Sequence, residues 1–164
     1  NKHLQLLDQD NIFLSPKVMT TLIFSIFNSL IILFWILLIF FPKKRLTISI
    51  INYPYIPVIL GFGYIYFMFL TFNGEGANIF EADFSSLNGI LDLFLNATPE
   101  SAAAGWLHYL AFDFWMGAWI LKNSKKILIP HIFIILPLLF TFMLGPVGVI
   151  TYVIISKVYL LKNK

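Results

Sequence analysis

The sequence contains no cysteine, and only 12% of its 164 residues are charged. The missing cysteine excludes disulfides, thiolate nucleophiles and metal sites with sulfur ligands. The shortage of charge excludes an ordinary soluble domain, in which about a quarter of the residues are charged. The formal net charge of +3 is also too small, and its carriers too dispersed, to indicate a nucleic-acid partner.

Hydrophobic residues make up 59% of the chain, and the mean hydropathy is +0.85. A chain this short cannot bury so much apolar surface within itself, whereas a lipid bilayer accepts an apolar exterior. Membrane lipid is therefore the first partner that the sequence predicts.

Four segments are long and apolar enough to form helices that cross a bilayer, which takes about 20 residues each. They cover residues 18–41, 48–72, 100–121 and 128–160. We therefore predict a single all-α integral membrane domain over residues 1–164, built as a bundle of four transmembrane helices.

Proline and glycine mark weak points in two of these segments. Pro54 and Pro57 each remove a backbone donor, so the second helix should begin or kink near Pro54. As one helix from Pro130 to Leu161, the fourth segment would be about 48 Å long, more than one bilayer needs. We therefore expect a bend, a break or a return of the chain at Gly145–Pro146.

The loop between the second and third spans contains a helical pattern of apolar residues. They recur at helical spacing as Phe84, Leu87, Leu91 and Phe94. This pattern predicts a short amphipathic helix lying at the membrane interface.

Charge is distributed unequally between the connections. The charged residues of the first and third connections are all basic: Lys43, Lys44, Arg45, Lys122, Lys125 and Lys126. The loop between them has no base and carries Glu75, Glu81, Asp83 and Asp92. The positive-inside rule places the basic connections on the cytoplasmic or stromal side, in a bacterial inner membrane or a plastid membrane. Four crossings would put both termini on the other side, whereas a return at Gly145 would put the C-terminus on the basic side.

Asp113 is the only acidic residue well inside a predicted span. A carboxylate there costs several kcal/mol, so it should face the bundle and either find a donor or remain protonated. Protonated, it is a candidate general acid. The alternative is a structural hydrogen bond between helices, for example with Asn28.

His108 is the second candidate catalytic residue. An ideal helix places it about 140° around and about 7.5 Å along the axis from Asp113, so the two do not form a ready-made pair. They either line opposite walls of one cavity, or His108 is an interfacial residue. His131 lies near the basic side of the membrane, whereas His108 lies toward the acidic side. Because the two histidines are so far apart, we predict no metal site. Soluble cofactors are not predicted either, because no phosphate-binding or nucleotide-binding motif is present.

Aromatic residues are dense around these two polar groups. Most aromatic residues in a membrane protein face lipid or pack between helices, but some can line a groove for a long, apolar, conjugated ligand. The predicted ligand contacts are Trp106, Tyr109, Phe112 and Trp115 in the third span and Tyr64 in the second.

Two strings carry a resemblance to a known family: Trp106-Leu107-His108-Tyr109-Leu110-Ala111-Phe112-Asp113 and Leu144-Gly145-Pro146-Val147-Gly148. With them, the chain resembles the abscisic-acid-deficient-four-like family, whose plant members are neoxanthin synthases, and is most similar to the short bacterial-type members. The resemblance implies a carotenoid ligand and isomerisation of a 5,6-epoxy-xanthophyll to an allenic xanthophyll, without a cofactor. Asp113 would be the acid and His108 the base.

Two other functions stay open. Ala118 stands where the short members often have an arginine, which removes a charge partner for Asp113. The chain would then be a non-catalytic pigment- or lipid-binding subunit of a photosynthetic or respiratory membrane complex. A proton or ion conductor would need a polar path across the membrane beyond Asp113, which the first and fourth spans do not provide.

Overall fold

The structure is a computed structural model that describes residues 16–74 and 82–163. Within these residues the secondary structure is all helical, as predicted. Glu75 and Glu81 of the predicted acidic loop lie outside the described residues. The helices are α1 (Pro16–Phe40), α2 (Arg45–Asn52), α3 (Tyr55–Asn73), α4 (Leu87–Leu95), α5 (Pro99–Lys126), α6 (Ile132–Leu144) and α7 (Pro146–Lys162).

Two of these helices, α1 and α3, are long and apolar enough to cross a membrane. Only 22% of the apolar window in α1 and 33% of that in α3 is buried within the protein. A core helix of a soluble protein would be mostly buried instead. These helices are therefore compatible with a membrane protein.

The second predicted span is divided at its prolines. Tyr53 is extended, as the residue before a proline tends to be, and α3 begins at Tyr55. The residues ahead of Pro54 form the separate helix α2, in which the Thr47 hydroxyl donates to the Phe41 carbonyl at 2.7 Å. The expected start near Pro54 is confirmed, and the predicted segment 48–72 is corrected to two helices.

The predicted amphipathic helix between the second and third spans is present as α4. Ser86 caps it by accepting a hydrogen bond from the Gly89 amide at 3.1 Å. The Ser86 hydroxyl in turn donates to the Asp83 carboxylate at 2.5 Å. The helix is therefore confirmed, while its position at a membrane interface stays a prediction.

The fourth predicted span reverses direction at Gly145. This glycine has φ +49° and ψ −100°, and beyond it α7 runs back along α6. The Tyr159 hydroxyl donates to the Leu128 carbonyl at 3.0 Å, although one straight helix would hold these residues about 46 Å apart. The expected break at Gly145 is therefore confirmed and is a return of the chain, and the predicted segment 128–160 is corrected to two helices that form a hairpin.

Close approach within this hairpin requires a second glycine. A Cβ atom on Gly148 would collide with the Thr141 backbone nitrogen and with the Pro137 carbonyl oxygen. Because α6 and α7 approach each other so closely there, a side chain at position 148 would force them apart.

The chain divides into two compact units. The first contains residues up to Ser29 together with Phe62–His108, and the second contains Leu30–Gly61 together with the chain from Tyr109 onward. The core of the first unit includes Phe67 and Leu107, which are completely buried. The core of the second unit is built around buried aliphatic and aromatic side chains, among them Ile31, Trp35, Leu38, Phe114, Ile120, Ile134 and Leu138.

Several helices of the second unit end close to one another, and we call this part of the unit the basic end. Lys125 of α5 donates from its Nζ to the Pro42 carbonyl just beyond α1, at 2.5 Å. His131, just before α6, contacts the Ile39 carbonyl of α1 through Nε2 at 2.7 Å. Together with the bond from α7 to Leu128, these contacts bring the ends of α1, α5 and α7 to the start of α6.

Candidate functional site

Helix α5 carries both predicted catalytic residues, and its start is fixed by a local cap. Thr98 accepts a hydrogen bond from the Ser101 amide at 3.2 Å, and its own amide donates to the Ser101 hydroxyl at 2.8 Å. This reciprocal pair is a capping box, and Pro99 at the first helical position needs no amide partner. The register of α5 is thus set well before His108.

His108 lies in the first unit against Tyr64, with ring centroids 5.7 Å apart. The neighbouring Gly63 explains why α3 comes so close. A Cβ atom there would lie 2.8 Å from Leu107 and 2.9 Å from Phe27. The structure therefore brings together His108 and Tyr64, two of the predicted site residues, with His108 itself exposed.

The other side of α5 in the first unit borders an open, mainly apolar groove of about 360 Å³. This volume falls within the range of small-molecule sites. The Trp106 indole, one of the predicted ligand contacts, forms part of the groove wall and donates to the Asn28 side-chain oxygen at 3.0 Å. Asn28, the proposed structural partner for Asp113, therefore accepts its hydrogen bond from Trp106 instead.

Thr20, which lines the same groove, belongs to a polar pair that the sequence did not reveal. Thr20, only 3% exposed, donates its hydroxyl proton to the Glu100 carboxylate at 3.0 Å. These residues are 80 positions apart, and no local spacing pattern connects them.

Asp113 lies in the second unit, beside the turn of the α6–α7 hairpin. A Cβ atom on Gly145 would be 2.8 Å from the Asp113 Oδ1 atom. The carboxylate is half-buried. Among the described residues, no side chain donates a hydrogen bond to it and no cation pairs with it. Packing against Gly145, and not a salt bridge, therefore determines the position of the Asp113 carboxyl.

Aromatic side chains pack closely elsewhere in the second unit. Trp35 lies 2.5 Å from the Cβ position of Gly117, so only glycine fits there. Its ring meets Phe114 edge-on at 5.6 Å, and Tyr152 meets Trp119 in the same way at 5.5 Å. Edge-on contacts of this kind are a geometry that aromatic pairs prefer.

Two polar atoms of these rings have no hydrogen-bond partner within the described chain: the Trp35 Nε1 and the Tyr152 hydroxyl. Both side chains are almost fully buried, at 2% and 1% exposure. The sequence analysis missed Tyr152, although Gly148 and Tyr152 lie at the i, i+4 spacing of one helix face.

The remaining predicted ligand contacts lie at the protein surface. Tyr109 belongs to the second unit and is 60% exposed. In the second unit, Phe112 and Trp115 are 55% and 52% exposed and stack with centroids 6.3 Å apart and ring planes 17° apart. Exposed aromatic faces of this kind can contact lipid or an apolar ligand. No group of three or more histidine, aspartate or glutamate residues in the described chain could hold a metal ion.

These features define an all-helical protein with helices able to cross a membrane and a half-buried carboxyl beside a glycine turn. The sequence model of the ABA DEFICIENT 4-like family matches residues 22–152, which is most of the chain. The chain therefore belongs to this family. No curated protein and no solved structure matches it.

Proposed function

We propose that this chain is an integral membrane protein that binds a carotenoid and isomerises an epoxy-xanthophyll to an allenic xanthophyll, as the neoxanthin synthases that it resembles do. Family membership supports the choice of substrate class. The observation that carries the chemistry is the position of Asp113, beside Gly145 and with no cation or side-chain donor among the described residues. Because no cation of the described chain pairs with this carboxyl, it is available to act as a general acid towards a bound ligand.

The reaction needs one acid and one base and no redox cofactor. Asp113 donates a proton to the epoxide oxygen as the carbon–oxygen bond breaks, which leaves a hydroxyl group. A base removes the proton from the neighbouring chain carbon, so that the allene forms with no net change of oxidation state. His108 is the proposed base because it is the only histidine on α5.

In the membrane, we propose that α1, α3 and α5 cross the bilayer and that α6 and α7 enter it and return. The 28 residues of α5 are about 42 Å long, enough to cross. The basic end would face the cytoplasm or stroma. Large apolar side chains are exposed on both units, and lipid would cover them.

The first prediction concerns Asp113→Asn. This variant keeps the size of the side chain and removes the transferable proton, so conversion of violaxanthin by the purified protein should fall at least about 100-fold. Chromatography of the extracted pigments measures the product. Asp92→Asn is the matched control, because Asp92 is an exposed carboxylate on α4.

The role of His108 is tested in the same assay with His108→Gln and Tyr64→Phe. Loss of activity in the first and not in the second supports a proton-transfer role for the imidazole. Full turnover in both Asp113→Asn and His108→Gln would refute the acid–base mechanism.

A second candidate function is that of a non-catalytic subunit of a larger membrane complex. The specific observation in its favour is Gly105 on α5, where a Cβ atom would meet nothing within 4 Å. An exposed glycine on a membrane helix lets another helix approach closely. Purification in mild detergent separates the functions, since a subunit would migrate only with a large complex and would convert no violaxanthin.

A further inference from the structure

The basic end of the second unit holds an unusual concentration of positive charge. The contacts from Lys125 to Pro42 and from Tyr159 to Leu128 bring the ends of three helices together there. The basic residues on or next to these helix ends are Lys43, Lys44, Arg45, Lys122, Lys125, Lys126, Lys157 and Lys162. The only acidic residue in the sequence of this unit is Asp113, nine residues before Lys122 and therefore about 14 Å along α5.

The helix dipoles offset little of this charge. Each helix C-terminus carries about −0.5 of an elementary charge and each N-terminus about +0.5. The C-termini of α1, α5 and α7 are at the basic end, but so are the N-termini of α2 and α6. Because these dipole charges largely cancel one another, almost all of the positive charge must be balanced from outside the unit.

The surface next to these cations is apolar. Phe40 is 66% exposed at the end of α1, Leu46 is 54% exposed in α2, and Leu128 is 79% exposed between α5 and α6. An amphiphile with an anionic head and hydrocarbon tails would match both the charges and these side chains. A soluble anion would match only the charges.

We propose that the basic end binds the headgroups of anionic phospholipids, with their acyl chains on the adjacent apolar side chains. Polybasic segments at a membrane surface attract anionic lipid by about 1 kcal/mol for each lysine or arginine, which corresponds to about fivefold in the lipid distribution. Carotenoid binding and the chemistry of Asp113 play no part in this proposal.

The test uses the full-length protein in phosphatidylcholine vesicles that contain a trace of spin-labelled lipid. Electron paramagnetic resonance measures the fraction of the label that the protein immobilises. Spin-labelled phosphatidylglycerol should be immobilised severalfold more than spin-labelled phosphatidylcholine, and the difference should shrink as sodium chloride is added.

Variants then assign the effect to the basic end. Replacing Lys122→Gln and Lys126→Gln together should lower the preference for phosphatidylglycerol, by up to about fivefold for each charge removed. Lys17→Gln, in the first turn of α1, is the matched control and should leave the preference unchanged. The salt dependence of the unaltered protein is a second measurement that needs no variant to fold.

Two results would overturn the proposal. One is equal immobilisation of the two lipids by the unaltered protein. The other is that inorganic phosphate abolishes the preference while sodium chloride of the same ionic strength does not, since the site would then prefer a soluble anion to a lipid.

Discussion

At the candidate site, Asp113 packs directly against Gly145. The carboxylate occupies the space that a side chain at position 145 would need, and the glycine has a positive φ that other residues rarely adopt. The position of the Asp113 carboxylate and the conformation of the turn therefore both require that residue 145 has no Cβ atom.

Gly145→Ala should lower the free energy of unfolding by about 1–3 kcal/mol, because alanine is strained at φ +49° and its Cβ meets Asp113 Oδ1. Thermal unfolding in detergent measures the change. Gly61→Ala is the control: it lies inside α3 with nothing within 4 Å of the Cβ position, so it should be neutral or stabilising by about 0.5–1 kcal/mol. Equal stability of the two variants would show that the turn does not need glycine.

Asp83 provides a pH-dependent contact in the loop before α4. Its carboxylate accepts hydrogen bonds from Ser85 and Ser86, which lower the pKa of Asp83 from 3.8 to about 2. Since the folded pKa lies below the ordinary value, these bonds stabilise the loop at pH values above 3.8. Their contribution is lost as the pH falls through 3.8 towards 2.

The carboxyl carbon shift of Asp83 should therefore titrate near pH 2 in nuclear magnetic resonance of the labelled protein. Ser85→Ala removes the largest cause of the lowered pKa, the Ser85 hydroxyl, and should move the midpoint towards 3.8. Ser156→Ala, far along the chain in α7, should leave it in place. A midpoint near 3.8 in the unaltered protein would contradict the hydrogen bonds seen in the structure.

At the scale of helices, the sequence predicted where helices break but not the direction in which the chain continues after each break. Pro54 predicted where a helix begins and Gly145–Pro146 predicted a bend, a break or a return, because proline lacks an amide proton and restricts the residue before it. Hydrophobicity alone could not show that α7 runs back along α6, since a hairpin and a long bent helix have the same composition. The reversal depends on Gly148 fitting against Thr141 and on the distant contact from Tyr159 to Leu128.

The hairpin makes a prediction about sidedness that the absence of cysteine makes simple to test. Single cysteines at Lys43→Cys and Lys162→Cys should react with a membrane-impermeant thiol reagent from the same side of sealed, oriented vesicles. The reason is that both positions belong to the basic end. Lys122→Cys serves as a positive control for that side.

A fourth crossing helix would give a different result. Lys162→Cys would then be labelled only from the side opposite to Lys43→Cys. That pattern would contradict the reversal at Gly145.

At the scale of the whole molecule, composition was sufficient to predict an all-helical fold, but it was insufficient for the number of crossing helices and for the site. The all-helical fold follows from apolar segments with little charge, because unpaired backbone groups are not tolerated in lipid. The sequence also singled out Asp113 and His108 as polar residues in an apolar helix. It could not show their neighbours, because Gly145 and Tyr64 are brought to them by contacts between distant parts of the chain.

The reversal at Gly145 also has a consequence for biosynthesis. If the basic end faces the ribosome, as proposed, no residue after Lys126 has to be carried through to the far side of the bilayer. The α6–α7 hairpin can then enter the membrane from the side on which it is made, once Gly148 has brought its two helices together. A large reporter protein fused after α7 would stay on that side and should not impede insertion.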